Sequence, residues 1–192
     1  MTIFEINSVP YGSTGRIMFQ IAETVESTDN IAYTSASFTR SRGEKFPQNY
    51  YKIGSAIGKT EHIILAKLTG NQGCYSHFTT YKLIRKIKKV SPDVIHLHNL
   101  HGWYLNWGML FNYLKVAGIP VVWTLHDCWS FTGHCPHFMA IGCDKWKTGC
   151  YQCPLYKNYP GCFFDDSTKQ YALKKACFVG VSNLTVVTPS QW

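Results

Sequence analysis

What this sequence of 192 residues has little of is informative first. Charged residues make up only 16% of it, and acidic ones are scarce: 11 Asp and Glu stand against 19 Lys and Arg, for a formal net charge of +8. That excess favours anionic partners (nucleic acid, phosphate-bearing substrates, an acidic membrane surface) without choosing among them. No run approaches the roughly 18 apolar residues of a membrane-spanning helix. The opening Met1-Thr-Ile-Phe-Glu-Ile6 has neither the basic stretch nor the cleavage site of a signal peptide. The expected location is therefore the cytoplasm. Internal repeats and low-complexity tracts are absent. So is the dinucleotide fingerprint G-x-G-x-x-G, and Ser35-Ala-Ser37 at the end of the second expected strand offers no acidic residue to hold a ribose. A nicotinamide enzyme is disfavoured.

What is present suits one α/β domain with a real core; the length is too short for two comfortable ones. Ile3 to Asn7 reads as a strand, Ser8 to Gly15 as a loop rich in turn formers, and Ile17, Phe19, Ile21, Ala22 and Val25 as the apolar positions of a first helix. A second strand is expected over Asn30 to Ser37, followed by a polar loop through Gln48. The stretch from Tyr50 to Tyr75 is ambiguous, with a helical pattern only at Glu61 to Leu68. The clearest helix runs from Thr79 to Val90, with Leu83, Ile87 and Val90 on one face and Lys82, Arg85, Lys86 and Lys89 on another. Ser91-Pro92 stops it. A strand over Asp93 to His98, a helix from Tyr104 to Val116 closed by Gly118, and an apolar strand from Pro120 to Leu125 follow. Strands alternating with helices, several of them continuously apolar, predict a Rossmann-like parallel sheet with helices on both faces. Residues 126–162 break that rhythm with Cys, Trp, Gly and Pro and read as a Cys-rich insertion. A helix over Ser167 to Ala176 and a strand over Leu184 to Thr188 complete the pattern.

Four clusters could carry chemistry. Gly12, Ser13, Thr14, Gly15 and Arg16 lie between the first strand and the first helix. Glycines let backbone approach a phosphate, and a helix N-terminus offers free N–H groups; a plain strand-to-helix turn fits equally well. His96, His98, Asn99 and His101 lie at the carboxyl end of a strand, where α/β sheets gather ligands. Period-two geometry places His96 and His98 on one face, as a pair of metal ligands or as donors to hydroxyls or phosphate. His126 and Asp127 end the next apolar strand and are expected in the same crevice, unless Asp127 merely caps a turn. Lastly, five of the eight cysteines crowd into one segment. Cys150 and Cys153 form a Cys-x-x-Cys knuckle, and Cys135 and Cys143 would complete a tetrahedral structural zinc site. Cys128, Cys162, His134 and His137 are substitute ligands. Free thiols or a redox pair at Cys150 and Cys153 are the competing reading.

Long segments resemble bacterial family-4 glycosyltransferases of exopolysaccharide, capsule and colanic-acid-type biosynthesis. They are Pro92-Asp-Val-Ile-His-Leu-His-Asn-Leu-His-Gly102, Val122-Trp-Thr-Leu-His-Asp-Cys-Trp-Ser-Phe-Thr-Gly-His-Cys135, Cys143-Asp-Lys-Trp-Lys147, Cys150-Tyr-Gln-Cys-Pro154 and Val187-Thr-Pro-Ser-Gln-Trp192. The resemblance implies a glycosyltransferase B fold of two facing Rossmann-like domains, retention of anomeric configuration and no catalytic metal. It implies a nucleotide-sugar donor, a lipid-linked saccharide acceptor and peripheral contact with the inner membrane. By that analogy residues 1–192 are an acceptor-side, amino-terminal domain whose carboxyl-terminal partner domain is missing, and the fragment alone is expected to be inactive. Pro189-Ser190, a loop and helix N-cap just before the end, also points to truncation. The resemblance places Gly12 to Gly15 near the donor diphosphate, with Arg16 as the available cation. It places His126 at the donor sugar with Asp127 beside it, and His98, Asn99 and His101 where sugar hydroxyls are read. Two rivals remain: a metal-dependent hydrolase using His96, His98 and Asp127, and a zinc-containing nucleic-acid binder, the latter lacking a recognition helix.

Overall fold

A computed structural model describes residues 1–39 and 45–188. Strands β1 (Thr2–Asn7), β2 (Ile31–Ser37), β3 (Tyr50–Ile53), β4 (Val94–Leu97), β5 (Val121–Thr124) and β6 (Leu184–Val187) form one sheet in the order β3-β2-β1-β4-β5-β6. Every pairing is parallel. Helices α1 (Gly12–Glu26), α2 (Ala56–Thr69), α3 (His77–Val90), α4 (Trp107–Val116) and α5 (Ser167–Phe178) lie in the connections. This is the Rossmann-like α/β class that the alternation predicts.

Side chains alternate across the central strands and divide the core. Phe4, Ile6, Ile95, Leu97, Val121 and Trp123 join one large cluster with Leu83 and Ile87 of α3 and Leu110, Phe111 and Leu114 of α4. Ile3, Val94 and Ala32 pack with Ala22 of α1 on the opposite face. Glu5 and His96 have the parity of Ile3 and Val94, and Glu5 faces His96 directly in the β1–β4 register. Polar side chains are thus gathered on one face, toward the carboxyl ends of the strands.

Local chemistry sets the element ends. α2 begins where Ser55 accepts the Gly58 N–H at 3.2 Å, and stops at Gly70 with φ 74°. α4 begins at Trp107, later than its expected start at Tyr104, because the Asn106 side chain caps it by accepting the Met109 N–H at 2.9 Å. Gly118 takes the left-handed conformation expected of it, φ 68°. The ambiguous stretch after Tyr50 resolves into the short strand β3 and the helix α2. The expected loop over Ser8 to Gly15 is shorter than predicted, since α1 starts at Gly12. Part of the polar loop through Gln48, and the N-cap read at Ser190, lie outside the described residues.

Between β5 and α5 the chain has no strand or α-helix; it makes three short 3-10 turns, Trp129–Phe131, Phe138–Ile141 and Lys145–Lys147. The segment is fastened from several sides. Lys174 of α5 is buried and donates to the carbonyls of Trp129 (2.6 Å) and Thr132 (2.9 Å), with its amine 4.0 Å from the Trp129 ring centre. Gln72 donates to Pro160 O at 2.6 Å. Trp129 packs its ring against Trp107 and Phe178.

Candidate active site

The strand order reverses direction between β1 and β4. Connections leave these two neighbours toward opposite sides, which makes the carboxyl ends of these strands the place where an open α/β sheet gathers a ligand. The N-terminus of α1 stands at this edge. Gly12 has φ 70° with open space where a Cβ would be, and Ser13 and Arg16 are exposed on the first turn. Gly15 is needed for packing: a Cβ there would come 2.5 Å from Pro10 C. Asn7 at the end of β1 binds the edge together. Its Oδ1 accepts the Ser8 N–H (2.8 Å) and the Asn99 N–H (3.3 Å), and its Nδ2 donates to Val9 O (3.1 Å) and Thr14 Oγ1 (3.3 Å).

A chain of polar groups crosses three adjacent strands. Glu5 Oε2 lies 2.9 Å from His98 Nε2, and His98 Nδ1 lies 2.8 Å from His126 Nε2. The His98 and His126 rings stack nearly parallel, 11° apart. His96 sits beside them, its Nε2 2.9 Å from Thr124 Oγ1 and its Nδ1 3.7 Å from Glu5 Oε2. Strand parity thus brings His96 and His98 to one face, as expected. Glu5 is fully buried, and loss of water pushes its carboxyl up to about 9. Burial drives His98 down to about 2 and His96 to about 4, with neighbouring imidazoles adding to the effect. Burial also lowers His126, against the pull of Asp127. Near neutral pH the cluster is a set of neutral hydrogen-bonded groups, not an ion pair.

A second group lies alongside. His101 Nε2 donates to Asp127 Oδ2 at 2.9 Å, and Tyr159 O–H, from the segment after β5, is 3.1 Å from His101 Nδ1. The other Asp127 oxygen accepts the Trp129 N–H at 2.9 Å. Burial alone would raise Asp127, but the His101 hydrogen bond and charge and the Trp129 N–H hold it below the ordinary value. Both carboxylate oxygens are therefore engaged. The ligand set of the hydrolase rival is not assembled: His96 and His98 close on Glu5, whereas Asp127 closes on His101.

Among the described residues, the one group of three metal-type ligand atoms all within 4.8 Å of one another is Glu5, His96 and His98. The cysteines form a looser cluster. Cys135 and Cys153 are close neighbours, and their proximity lowers the Cys153 thiol to about 7 and raises Cys135. Burial raises the Cys150 thiol, against the Gly133 N–H that its Sγ accepts at 3.1 Å, and Cys153 and Cys143 are close enough to add to the rise. The knuckle backbone is turned tightly, with positive φ at Gly149, Cys150 and Gln152.

Residue patterns in the sequence do not single out Glu5, Asn7, Tyr159 or Lys59. Lys59 reaches from α2 to Ser37 Oγ and Phe38 O, each at 3.2 Å, and shares a groove with Tyr11 beyond the end of β2. It is a second cation at the carboxyl edge besides Arg16. Only the parallel register, which pairs residues about 90 positions apart, could have marked Glu5.

With this geometry in place, two comparisons bear on function. The profile of the family described as Glycosyltransferase Family 4 matches residues 36–151. Over 129 residues, 63% of this chain, the sequence is 34% identical to a protein of Escherichia coli (strain K12), WcaC, whose name assigns it to colanic acid biosynthesis as a glycosyl transferase. The match covers 31% of that relative, so the chain spans about a third of its length. Neither finding favours a metal hydrolase or a nucleic-acid binder.

Proposed function

The chain belongs to glycosyltransferase family 4, and from that premise we propose that it is the acceptor-side half of a two-domain glycosyltransferase. The whole enzyme moves a sugar from a nucleotide-sugar donor to a lipid-linked saccharide acceptor in cell-surface polysaccharide biosynthesis. A carboxyl-terminal domain beyond this chain completes the cleft. The observation that supports this reading best is the convergence of the α1 N-terminus and the His98–His126 pair at one sheet edge. The first-turn N–H groups from Gly12 to Gly15 suit a diphosphate, with Arg16 and Lys59 as nearby cations. His126, half-buried at the rim, is the group we assign to the donor sugar. Asp127, with both oxygens occupied, acts by positioning, and so do His98 and His101; Asn99 lines the crevice.

Transfer requires positive groups around the leaving nucleoside diphosphate, and most of them are assigned to the second domain. The 192-residue chain alone is therefore expected to turn over no nucleotide-sugar; measurable turnover by it overturns the two-domain reading. In the complete enzyme, His126→Ala is expected to lower kcat/KM for transfer by about 10²- to 10³-fold. An unaffected rate removes His126 from the site.

Two accessory features belong to this reading. No helix among the described residues is long and apolar enough to cross a membrane; we assign the protein to the cytoplasmic side, touching the inner membrane peripherally. The residues that support it are exposed Ile57, Ile64 and Leu68 of α2, and Phe78, Tyr81 and the basic residues of α3. Salt-reversible sedimentation with anionic but not neutral vesicles is expected, and its absence removes the membrane assignment. The second feature is a structural zinc held by Cys135, Cys143, Cys150 and Cys153. The Gly133 N–H on Cys150 Sγ and the proximity of Cys135 and Cys153 support it. No metal is assigned to the reaction itself.

A further inference from the structure

We propose that Glu5 is a positioning residue whose buried carboxyl, acting through His98, fixes which nitrogen of His126 carries the proton and so presents an N–H to the cleft. The assignment of His126 to the donor sugar is the reading on which the functional meaning of this relay rests.

The geometry leaves few arrangements. A carboxyl, an imidazole and a second imidazole stand in line at 2.9 and 2.8 Å, and each contact needs one donor and one acceptor. The carboxyl is fully buried, one of its oxygens has no partner among the described residues, and its charged-type contacts are the buried imidazoles of His96 and His98. A carboxylate so placed is held in its protonated, neutral form at pH 7, the direction in which burial also pushes its pKa. Its proton is then on Oε1 or Oε2. Oε1 is buried and has no hydrogen-bond partner among the described residues. An O–H placed there would be an unmet buried donor, whereas a carbonyl oxygen left unpartnered is tolerated better. The proton therefore sits on Oε2 and is donated to His98 Nε2.

The rest follows along the line. With Nε2 accepting, neutral His98 carries its proton on Nδ1 and donates it to His126 Nε2. His126 in turn is protonated at Nδ1. No described residue is bonded to that Nδ1, and the ring is half-buried at the crevice rim. It meets the cleft as a neutral N–H donor, matched to an oxygen acceptor such as a sugar hydroxyl or a phosphate oxygen. An ionised Glu5 would invert every bond: His98 would donate to Glu5, accept from His126, and leave a bare lone pair facing the substrate. A group two strands away from His126 thus sets the polarity of the group at the rim.

The relay can be read without any sugar, by long-range proton–nitrogen NMR correlation of the imidazoles in the uniformly ¹⁵N-labelled chain at pH 7. His98 and His126 are expected in the Nδ1–H form, which is the minor tautomer of free histidine. His62 is the internal reference for the opposite form, since its Nε2 donates to the Gln72 carbonyl at 2.6 Å and its Nδ1 accepts from Ser76 at 2.7 Å. Glu5→Gln, whose amide can still donate to His98 Nε2, is expected to keep the pattern. Glu5→Met is expected to shift His126 toward the Nε2–H form while His62 stays unchanged. Nε2–H signals for both rings in the unsubstituted chain overturn the relay, and so does a His126 spectrum indifferent to Glu5→Met. If Glu5→Met does not fold, the unsubstituted and Glu5→Gln spectra decide alone. An intact tautomer pattern combined with unaffected transfer by His126→Ala would sink the sugar assignment and leave the relay standing.

Discussion

Gly12 and Gly15 share one helical turn but answer to different constraints. Gly12 holds φ 70° with nothing within 4 Å of a notional Cβ, so alanine there meets only backbone strain. At Gly15 the backbone is ordinary, and in an open helix alanine would stabilise by roughly 1 kcal/mol. Here the new methyl would press on fixed backbone, 2.5 Å from Pro10 C and 3.0 Å from Val9 O. Gly15→Ala is expected to cost about 1–3 kcal/mol, the range for overpacking, and to shift the urea midpoint downward more than Gly12→Ala does. A neutral or stabilising result contradicts the close packing of α1 on the β1–α1 loop. The same residues show how far single positions were legible. The glycines and histidines were conspicuous as types, and their location at the carboxyl edge followed from strand order. Glu5 was not, because a carboxyl in an alternating strand looks like any solvent-facing position until β4 is laid beside β1. Asp127 was conspicuous, but its two hydrogen bonds to His101 and Trp129 depend on the path of a loop that no periodicity describes.

At the scale of elements, legibility tracked periodicity and length. The amphipathic α3 and the apolar β5 were readable because a full buried face repeats along each. The four-residue β3 was not, since only Ile53 of it is buried and the sheet edge imposes little pattern. The cysteine segment was legible as an interruption but not as a shape. It has no apolar stripe of its own and is fixed by Lys174, Gln72 and aromatic stacking from other elements. Such a segment gains most from a metal, which replaces the missing core with ligand bonds. Protein purified without chelators is expected to carry one zinc per chain by elemental analysis, with a sulfur-only shell by X-ray absorption. Cys150→Ser is expected to lose it and to make the segment between β5 and α5 sensitive to proteolysis. Zinc retained by that variant, or nitrogen ligands in the shell, would overturn the four-cysteine set and leave the substitute ligands Cys128, Cys162, His134 and His137, or the group Glu5, His96 and His98, to be told apart by further variants.

For the whole molecule, the polar face of the sheet couples folding to pH, and the sign can be worked group by group. His62 and His96 are lowered by burial to about 4 and His98 to about 2, against 6.5 for an unfolded histidine. Between those values the unfolded chain binds more protons, so each contributes stability that is complete above about pH 6.5 and is lost as pH falls toward its folded value. Glu5 has the opposite sign. Its folded carboxyl, at about 9, keeps a proton that the unfolded chain releases near 4.5, so its contribution is complete below 4.5 and is lost as pH rises toward 9. From pH 4.5 to 6.5 the histidines outnumber Glu5, and stability is expected to rise with pH. Above 6.5 the Glu5 contribution continues to fall. Lys174, lowered by burial to about 7, opposes it from there upward, because the unfolded amine holds its proton to about 10.5. The wild-type profile alone therefore does not isolate Glu5, but its difference from Glu5→Gln does. The amide cannot ionise, while the histidines and Lys174 are common to both proteins. Urea midpoints measured from pH 5 to 9 are expected to move progressively in favour of Glu5→Gln as pH rises. A difference that stays flat across that range would mean Glu5 is ionised in the folded protein at neutral pH, and the hydrogen-bond line through His98 to His126 would then run in the opposite direction.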